Sequence, residues 1–349
     1  MGEYIAFDSH KQYTLAERED VKTGRARQCR IEHHRGAIRE YLGDCEGGTA
    51  VAVEATGNWY WIVQEIEEAG LKPRLVHPRK AKLMMGMINK TDKLDVHGLN
   101  RLQRTGTLPE VWIAPGKLRD HRELTRTRMV LSQQRTQLKN RLTATLAKYG
   151  LRVEGRTDAF GPGGLLEMEQ LIEGLPEQTK WVSKLLLEQV ETLGAQMKEV
   201  EKRLEELVKE TPEMGLLRTL PGVGKILSGV MALEIGEVGR FASGEKLASY
   251  CGTTPRVMSS GDKTRYGKLR SDVNRYLKWA FVEAANVVAV NRGRHPERHV
   301  SRLYERLREK RGHSKAVGAV ARHLAEAAWH VLTRKEAYLE RGLGQTRKA

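Results

Sequence analysis

Apolar and polar positions alternate in two distinct periods along this chain, and the change of period divides it. Residues 4–7 form a short apolar run ending at Asp8, and residues 13–18 and 27–33 alternate apolar with polar, the period of half-buried strands. Residues 35–42 read as helix, 49–53 as a buried strand ending at Glu54, 59–69 as an amphipathic helix, and 71–76 as a further strand before Pro78. The succession is three strands, helix, strand, helix, strand, helix. After about residue 117 the period changes to seven. Leu124, Leu131, Leu138 and Thr145 recur at that spacing, as do Leu186, Leu193, Val200 and Leu207, with Val190, Met197 and Leu204 between them. Two long helices are expected, either as an antiparallel coiled-coil arm or as ordinary bundle helices. Residues 150–164, with Gly155, Gly161, Pro162, Gly163 and Gly164, break the pattern as a hairpin or disordered tip would. From Leu216 the chain reads as helices joined by short loops, with the last three at 273–290, 297–309 and 314–332.

The expected architecture is therefore an α/β domain followed by all-α segments. The order of the first elements is that of an RuvC-like (RNase H-like) sheet. The boundaries fall at 1–116 for that domain, 117–210 for the coiled-coil arm, 211–340 for a helical C-terminal domain, and 341–349 for a basic tail.

Charge narrows the function. Lys plus Arg number 60 against 44 Asp plus Glu, a formal net charge of +16, which suits a polyphosphate partner. Two stretches concentrate it. Residues 117–148 carry Lys117, Arg119, Arg122, Arg126, Arg128, Arg135, Lys139, Arg141 and Lys148 against Asp120 and Glu123. Residues 256–278 carry Arg256, Lys263, Arg265, Lys268, Arg270, Arg275 and Lys278 against Asp262 and Asp272. The three cysteines, Cys29, Cys45 and Cys251, have no zinc-site spacing and suit a reducing cytoplasm. No apolar run reaches the roughly 18 residues of a membrane span, and no signal peptide opens the chain, so a cytoplasmic location near the nucleoid is expected.

Phosphodiester chemistry benefits from Mg²⁺ held by several carboxylates. Asp8 and Glu54 end two strands that neighbour each other in such a sheet, and Asp92 and Asp95, spaced i, i+3, share one face of the closing helix. All four could meet at one edge, although each alone also reads as a turn or rim residue. Leu220-Pro221-Gly222-Val223-Gly224-Lys225 reads as the hairpin of a helix-hairpin-helix motif, its Gly222 and Gly224 amides and Lys225 near a phosphate, or as a plain helix connection. Ser259 and Ser260 are equal candidates for a nucleophile from the residues alone.

These words together resemble a family: the DEDD transposases of insertion-sequence family 110, relatives of the Piv and MooV DNA invertases. The resemblance spans nearly the whole chain. It rests on Glu54-Ala55-Thr56-Gly57, Lys90-Thr91-Asp92-Lys93-Leu94-Asp95, Pro221-Gly222-Val223-Gly224, and Gly252-Thr253-Thr254-Pro255-Arg256 leading to Ser259-Ser260-Gly261. It implies a RuvC-like metal domain with Asp8, Glu54, Asp92 and Asp95 as Mg²⁺ ligands, and a transposase domain in which Ser260 attacks DNA and becomes covalently joined to it. Arg256, Lys263, Arg265, Lys268 and Arg270, in the loop around that serine, would contact the DNA backbone. The resemblance also implies a structured bridge RNA pairing with donor and target DNA, and dimers that pair into tetramers so that one subunit's serine completes another's acidic site. The chain departs from the family where relatives run Lys-x-Gly-Asn and Leu-Arg: here stand Ser271-Asp272-Val273-Asn274 and Leu277-Lys278. Two rival functions remain: a Holliday-junction resolvase in which water attacks, and a nucleic-acid-binding protein with no activity.

Overall fold

The computed structural model describes residues 2–86, 91–156, 158–207, 211–261, 263–270 and 273–340. Lys90, Asp262, Ser271, Asp272, the Leu207 side chain and the expected basic tail at 341–349 lie outside the described residues. The chain forms two compact units, Met1–Ala114 and Pro115–Ala349.

The first unit is a mixed α/β layer structure. Strands β1 (Glu3–Ser9), β2 (Tyr13–Asp20), β3 (Ala26–Glu32), β4 (Ala50–Glu54) and β5 (Lys72–Val76) form one sheet in the order β3-β2-β1-β4-β5. The β1–β2 and β2–β3 pairs are antiparallel, and β1–β4 and β4–β5 are parallel. This agrees with the RNase H-like order expected from the sequence. Pleating sends alternate residues to opposite faces. Ile5, Phe7, Val51 and Val53 pack in one core with Ile38 and Leu42, around helix α1 (Ala37–Tyr41), and with Ile62, Val63 and Ile66 of α2 (Trp59–Glu68). Ala6 and Ala52 turn the other way, onto Ala81 and Met85 of α3 (Pro78–Met85) and Val96, Leu99 and Leu102 of α4 (Asp92–Arg104). Central strands covered on both faces need the near-continuous apolar runs seen here.

The second unit is mostly helical. Helices α5 (Gly116–Lys148) and α7 (Glu177–Leu207) pack against each other in opposite directions. Leu142 and Leu146 of α5 meet Leu187 and Val190 of α7 at one end, and Arg128 pairs with Glu201 at 2.8 Å towards the other. On α7 the buried positions are Ser183, Leu187, Val190, Met197 and Leu204. The seam is heptad-spaced, but it follows the Val190–Met197–Leu204 column, and Leu186, Leu193 and Val200 flank it half-buried. The described residues of 150–156 and 158–161 do not form an open tip. Leu151, Val153, Ala159 and Phe160 pack onto the helices, and a further helix that the sequence pattern does not announce, α6 (Pro162–Glu173), adds Met168 and Ile172 to the same core.

The basic run on α5 is largely spent inside its own unit. Arg119 and Arg122 are buried, Arg126 and Arg128 are ion-paired with Glu234 and Glu201, and the Lys139 ammonium lies 4.6 Å from the Phe160 ring centroid. Lys117, Arg141 and Lys148 remain exposed.

Helices α8 (Pro212–Leu217), α9 (Lys225–Ile235), α10 (Gly244–Tyr250), α11 (Arg275–Asn291), α12 (His299–Arg311) and α13 (His313–Arg334) form the remaining core around Phe281, Ala284, Val320 and Leu324. The chain from 255 to 270 is not the loop expected from the sequence. It is an antiparallel ribbon of β6 (Pro255–Ser260) and β7 (Lys263–Leu269). Both strands are exposed along nearly their whole length, so no alternation of apolar and polar residues announces them in the sequence.

Fully buried Glu234 on α9 ties three helices. Arg126 of α5 donates to it twice, from Nε at 2.7 Å and Nη2 at 3.1 Å. Asn274 Nδ2 donates to it at 2.8 Å, while Asn274 Oδ1 accepts from the Tyr276 and Leu277 amides at 3.0 Å and so starts α11.

Gly222, between α8 and α9, has φ +80° and would place a Cβ 2.2 Å from the Ala284 carbonyl oxygen, so both conformation and packing require glycine. Gly224, at φ −95°, has open space where a Cβ would go. Gly222→Ala is expected to destabilise the protein by about 2 kcal/mol or more, and Gly224→Ala by well under about 1 kcal/mol. Denaturant unfolding of the two variants measures the difference, and equal losses would remove the packing argument.

Candidate active site

The sheet pleat and one helix cap gather the acidic residues. Asp8 lies two residues after Ala6 on β1 and Glu54 two after Ala52 on β4, so both share the face that α4 covers. The parallel register pairs Phe7 with Val53, which sets Asp8 and Glu54 on the next rung at the C-terminal edge. On α4, Asp92 and Asp95 precede the buried Val96 and Leu99 by one turn each and lie on the same stripe. Thr91 fixes where that helix begins, its hydroxyl accepting from the Leu94 amide at 3.3 Å. The positive end of the helix favours carboxylates in this first turn.

His10, which no sequence pattern singled out, sits at the centre. Its Nε2 lies 3.2 Å from Asp8 Oδ2 and 3.3 Å from Asp92 Oδ2, and the ligand atoms of these three residues all fall within 4.8 Å of one another. The structure therefore brings Asp8 and Asp92 together, as expected, with His10 as the third member. Glu54 and Asp95 are outside that set of three, though Asp95 is near enough for its charge to act on Asp8. A signal for His10 existed: a residue two after Asp8 at the strand end tends to the same face.

The imidazole is held from several sides. Its ring stacks on Tyr13 with centroids 4.6 Å apart, and the Arg30 guanidinium lies 3.7 Å from the Tyr13 centroid. The Tyr13 hydroxyl donates to Asp92 Oδ2 at 2.9 Å. That bond, to a negatively charged acceptor, pushes the Tyr13 pKa up. Asn58 Nδ2 donates to the His10 carbonyl at 2.7 Å, and Thr56 Oγ1 donates to Asn58 Oδ1 at 2.8 Å. Thus Thr56, within the Glu-Ala-Thr-Gly word, supports His10 through Asn58.

Asp8 is 8 % exposed. Burial raises its pKa first of all, the charges of Asp92 and Asp95 raise it further, and His10 opposes them. His10 Nε2 is buried and makes no hydrogen bond despite two carboxylate oxygens in reach. Two carboxylates crowded beside an unsatisfied imidazole nitrogen are a donor set that fits a divalent cation.

Ser260 is the last residue of β6, opposite Lys263, and Gly261 at φ +57° makes the turn. Residues directly opposite in a ribbon share a face, so Ser260, Lys263, Met258 and Arg265 lie on one side. Ser259 lies on the other, where its hydroxyl is 3.3 Å from Thr264 Oγ1. Every one of these residues is exposed. Arg256 and Lys268 lie on the same ribbon, beyond or beside a bulge between Pro255 and Val257, and the Arg270 carbonyl accepts from Lys278 Nζ at 2.9 Å. Gly222, Gly224 and Lys225 line a groove of about 810 Å³ with Arg218 and Arg298. Lys225 Nζ is 2.8 Å from Glu205, so an anion there would compete with a carboxylate.

Comparison with known proteins bears on both units. Residues 7–150 match a transposase family of the IS110 DEDD type, and residues 214–301 match the Transposase IS116/IS110/IS902 family. The chain is similar to a probable family 20 transposase of Pseudomonas aeruginosa, at 25% identity covering 89% of this chain and 91% of the relative. It is similar also to the transposase for insertion sequence element IS1111A of Coxiella burnetii, at 24% identity over 82% of this chain and 79% of the relative. A third relative is the transposase for IS1328 of Yersinia enterocolitica, at 23% identity over 85% and 87%. Among the described residues no helix is long and apolar enough to cross a membrane.

The raised pKa of Asp8 has a sign that can be tested. Its ionised form is penalised in the folded state, so stability is lost as pH rises from the unfolded carboxylate range through the higher folded value. At neutral pH the metal-free protein carries the full penalty. Asp8→Asn is expected to raise the melting temperature of the EDTA-treated protein at pH 7 and to abolish further stabilisation by millimolar divalent cation. A variant that melts lower than wild type, yet still gains from the cation, would contradict the electrostatic account.

Proposed function

Because the chain belongs to the IS110-family DEDD transposases, and so is a DNA transposase that cuts and rejoins strands, we propose that Asp8, Glu54, Asp92 and Asp95 hold Mg²⁺ and that Ser260 is the nucleophile. The observation that carries the metal half is the convergence of Asp8 and Asp92 from distant parts of the chain, one buried and one half-exposed, at one edge of the sheet. Bound there, Mg²⁺ would neutralise the charge that builds on the attacking and leaving oxygens of the phosphodiester. In the reaction, Ser260 Oγ forms a bond to phosphorus as the strand's own P–O bond breaks. The serine proton passes, through water, to the released oxygen, which leaves as a hydroxyl end, and the strand is left as a serine phosphodiester. Attack by a hydroxyl end on that linkage reverses the step and reseals DNA without a nucleotide cofactor.

Lys263 and Arg265, on the serine's side of the ribbon, are suited to the flanking phosphates. Arg256, Lys268, Arg270, Gly222, Gly224 and Lys225 complete the DNA contacts in this reading. A structured bridge RNA is the second nucleic-acid partner; the net charge of +16 supports it. The antiparallel α5–α7 pair serves as a coiled-coil arm joining the metal domain to the serine domain, and dimers paired into tetramers bring the serine of one subunit to the carboxylates of another.

Ser260→Ala is expected to yield no protein-linked DNA, and Ser259→Ala to keep most of it. Mixing Ser260→Ala with Asp8→Asn protein is expected to restore part of the strand cleavage, because some mixed assemblies pair an intact serine with an intact acidic site. Undiminished adducts in Ser260→Ala would remove the nucleophile; free cut ends without adducts would favour a water-using resolvase, and intact DNA a binding protein. Salt dependence supplies a second check. Replacing Lys263 and Arg265 together by Ala should reduce the slope of log affinity against log salt by roughly 2, since each phosphate that is no longer neutralised removes about 0.9. An unchanged slope would separate the ribbon from the DNA backbone.

A further inference from the structure

We propose that His10 is itself a ligand of the metal, bound through Nε2, and that this nitrogen makes the site favour Mn²⁺ over Mg²⁺. The inference rests on the reading of Asp8 and Asp92 as metal ligands and extends it to a residue outside the four acids.

Distance is the first argument. Two donors at right angles around a cation with bonds of about 2.1 Å lie about 3 Å apart, and tetrahedral donors slightly further. His10 Nε2 is 3.2 Å from Asp8 Oδ2 and 3.3 Å from Asp92 Oδ2. Both separations from the nitrogen are those of neighbouring donors around one cation, and the ligand atoms of the three residues lie within 4.8 Å of one another. Hydrogen bonding is the second argument. Nε2 is buried with no hydrogen-bond partner, and Asp92 Oδ2 already accepts from the Tyr13 hydroxyl. A buried imidazole nitrogen left without a bond beside two acceptors is out of line for donation to either, and a cation between the three would satisfy it.

Orientation is the third. Ring stacking on Tyr13 and the Asn58 bond to the His10 carbonyl set the imidazole before any cation arrives. The stack fixes the ring plane and the Asn58 bond fixes the backbone that carries it, so a cation would meet a nitrogen already facing both carboxylates. A His lying on the core by chance would need no such set of contacts ending at two carboxylates. The chemical consequence follows from ligand type. Mg²⁺ demands a near-ideal sphere of oxygen, whereas Mn²⁺, a first-row transition ion that also binds carboxylate oxygen, loses less than Mg²⁺ does when one donor is an imidazole nitrogen.

The test uses the full-length protein stripped of metal, with Mg²⁺ alone and Mn²⁺ alone as probes. Calorimetry gives the two affinities for wild type, His10→Ala and Asp8→Asn. Pulsed electron paramagnetic resonance of the Mn²⁺-loaded protein reads nitrogen coupling, and growth on ¹⁵N-histidine identifies a histidine as its source without any substitution. The expected result is a histidine coupling in wild type that is absent from His10→Ala, with Mn²⁺ affinity falling by about 10-fold or more and Mg²⁺ affinity changing by less than about 3-fold. Mn²⁺ that binds without nitrogen coupling, or a coupling that persists in His10→Ala, overturns the assignment of His10 while leaving the carboxylates as ligands. Wild type that binds neither metal, and so matches Asp8→Asn, overturns the carboxylate reading and this inference with it.

Discussion

Like charges meet at one edge of the N-terminal sheet, where the buried Asp8 faces the half-exposed Asp92, and burial and that repulsion act on Asp8 together. The pleat leaves no choice about it: once Ile5 and Phe7 face the α1–α2 layer, Ala6 and Asp8 must face α4. Ala6 and Ala52 are small, which lets Val96 and Leu99 of α4 pack close to the sheet beside the two strand ends. Three devices moderate the repulsion without a cation: the α4 N-terminus, the Tyr13 hydroxyl on Asp92, and the His10 imidazole between the carboxylates. The net effect still leaves the Asp8 pKa raised. A buried carboxyl with a raised pKa costs stability at neutral pH, the kind of local cost that sites carry and cores do not.

Much of this was legible in the sequence because the relevant signals are local. Strand alternation placed five strands within a few residues of their observed ends, and the i, i+3 spacing of Asp92 and Asp95 put them on one helix face. What was missed depends on context. His10 follows the apolar run of β1 and looks like a loop residue until the Asn58 and Tyr13 contacts are seen. Of the two heptad columns expected on α7, the one through Val190, Met197 and Leu204 lies in the seam, and Leu187 rather than the equally apolar Leu186 is buried beside it, a choice that only packing decides. The ribbon of β6 and β7 was read as loop because charged and glycine residues dominate it, and an exposed ribbon has no apolar face to announce it.

The departures from the family pattern at 271–274 and 277–278 gain a partial structural account. Val273 stands where relatives have glycine, and its Cγ2 occupies the place where a Cβ on Gly252 would be, 2.3 Å away. Gly252, at φ +68°, thus accommodates the larger neighbour. Asn274, which is kept, uses both ends of its amide: one caps α11, the other binds Glu234. The Lys278 ammonium reaches back to the Arg270 carbonyl at 2.9 Å, so lysine at this position braces the base of the ribbon. Of the described positions, Val273 and Lys278 leave the support of the ribbon intact.

That support also explains why Ser260 would need a partner for its chemistry. A hydroxyl ionises far above neutral pH, so an attacking serine needs a base or a cation beside it. Glu234 is the buried carboxylate nearest in sequence, and it is fully engaged by Arg126 and Asn274, with Arg122 3.7 Å away. Freeing it would leave the Arg126 guanidinium and the α11 cap without their acceptor, at a cost of about 3–5 kcal/mol. It is a structural acid and not a base in waiting. The cations on the serine's face, Lys263 and Arg265, can hold phosphate but cannot take a proton while charged. In the proposed reading, Ser260 with Lys263 and Arg265 would supply the nucleophile and its phosphate contacts, and the carboxylates of the N-terminal unit would supply the activator. Each half is chemically incomplete in the way that the other would complete, and this is the physical content of the composite site proposed above.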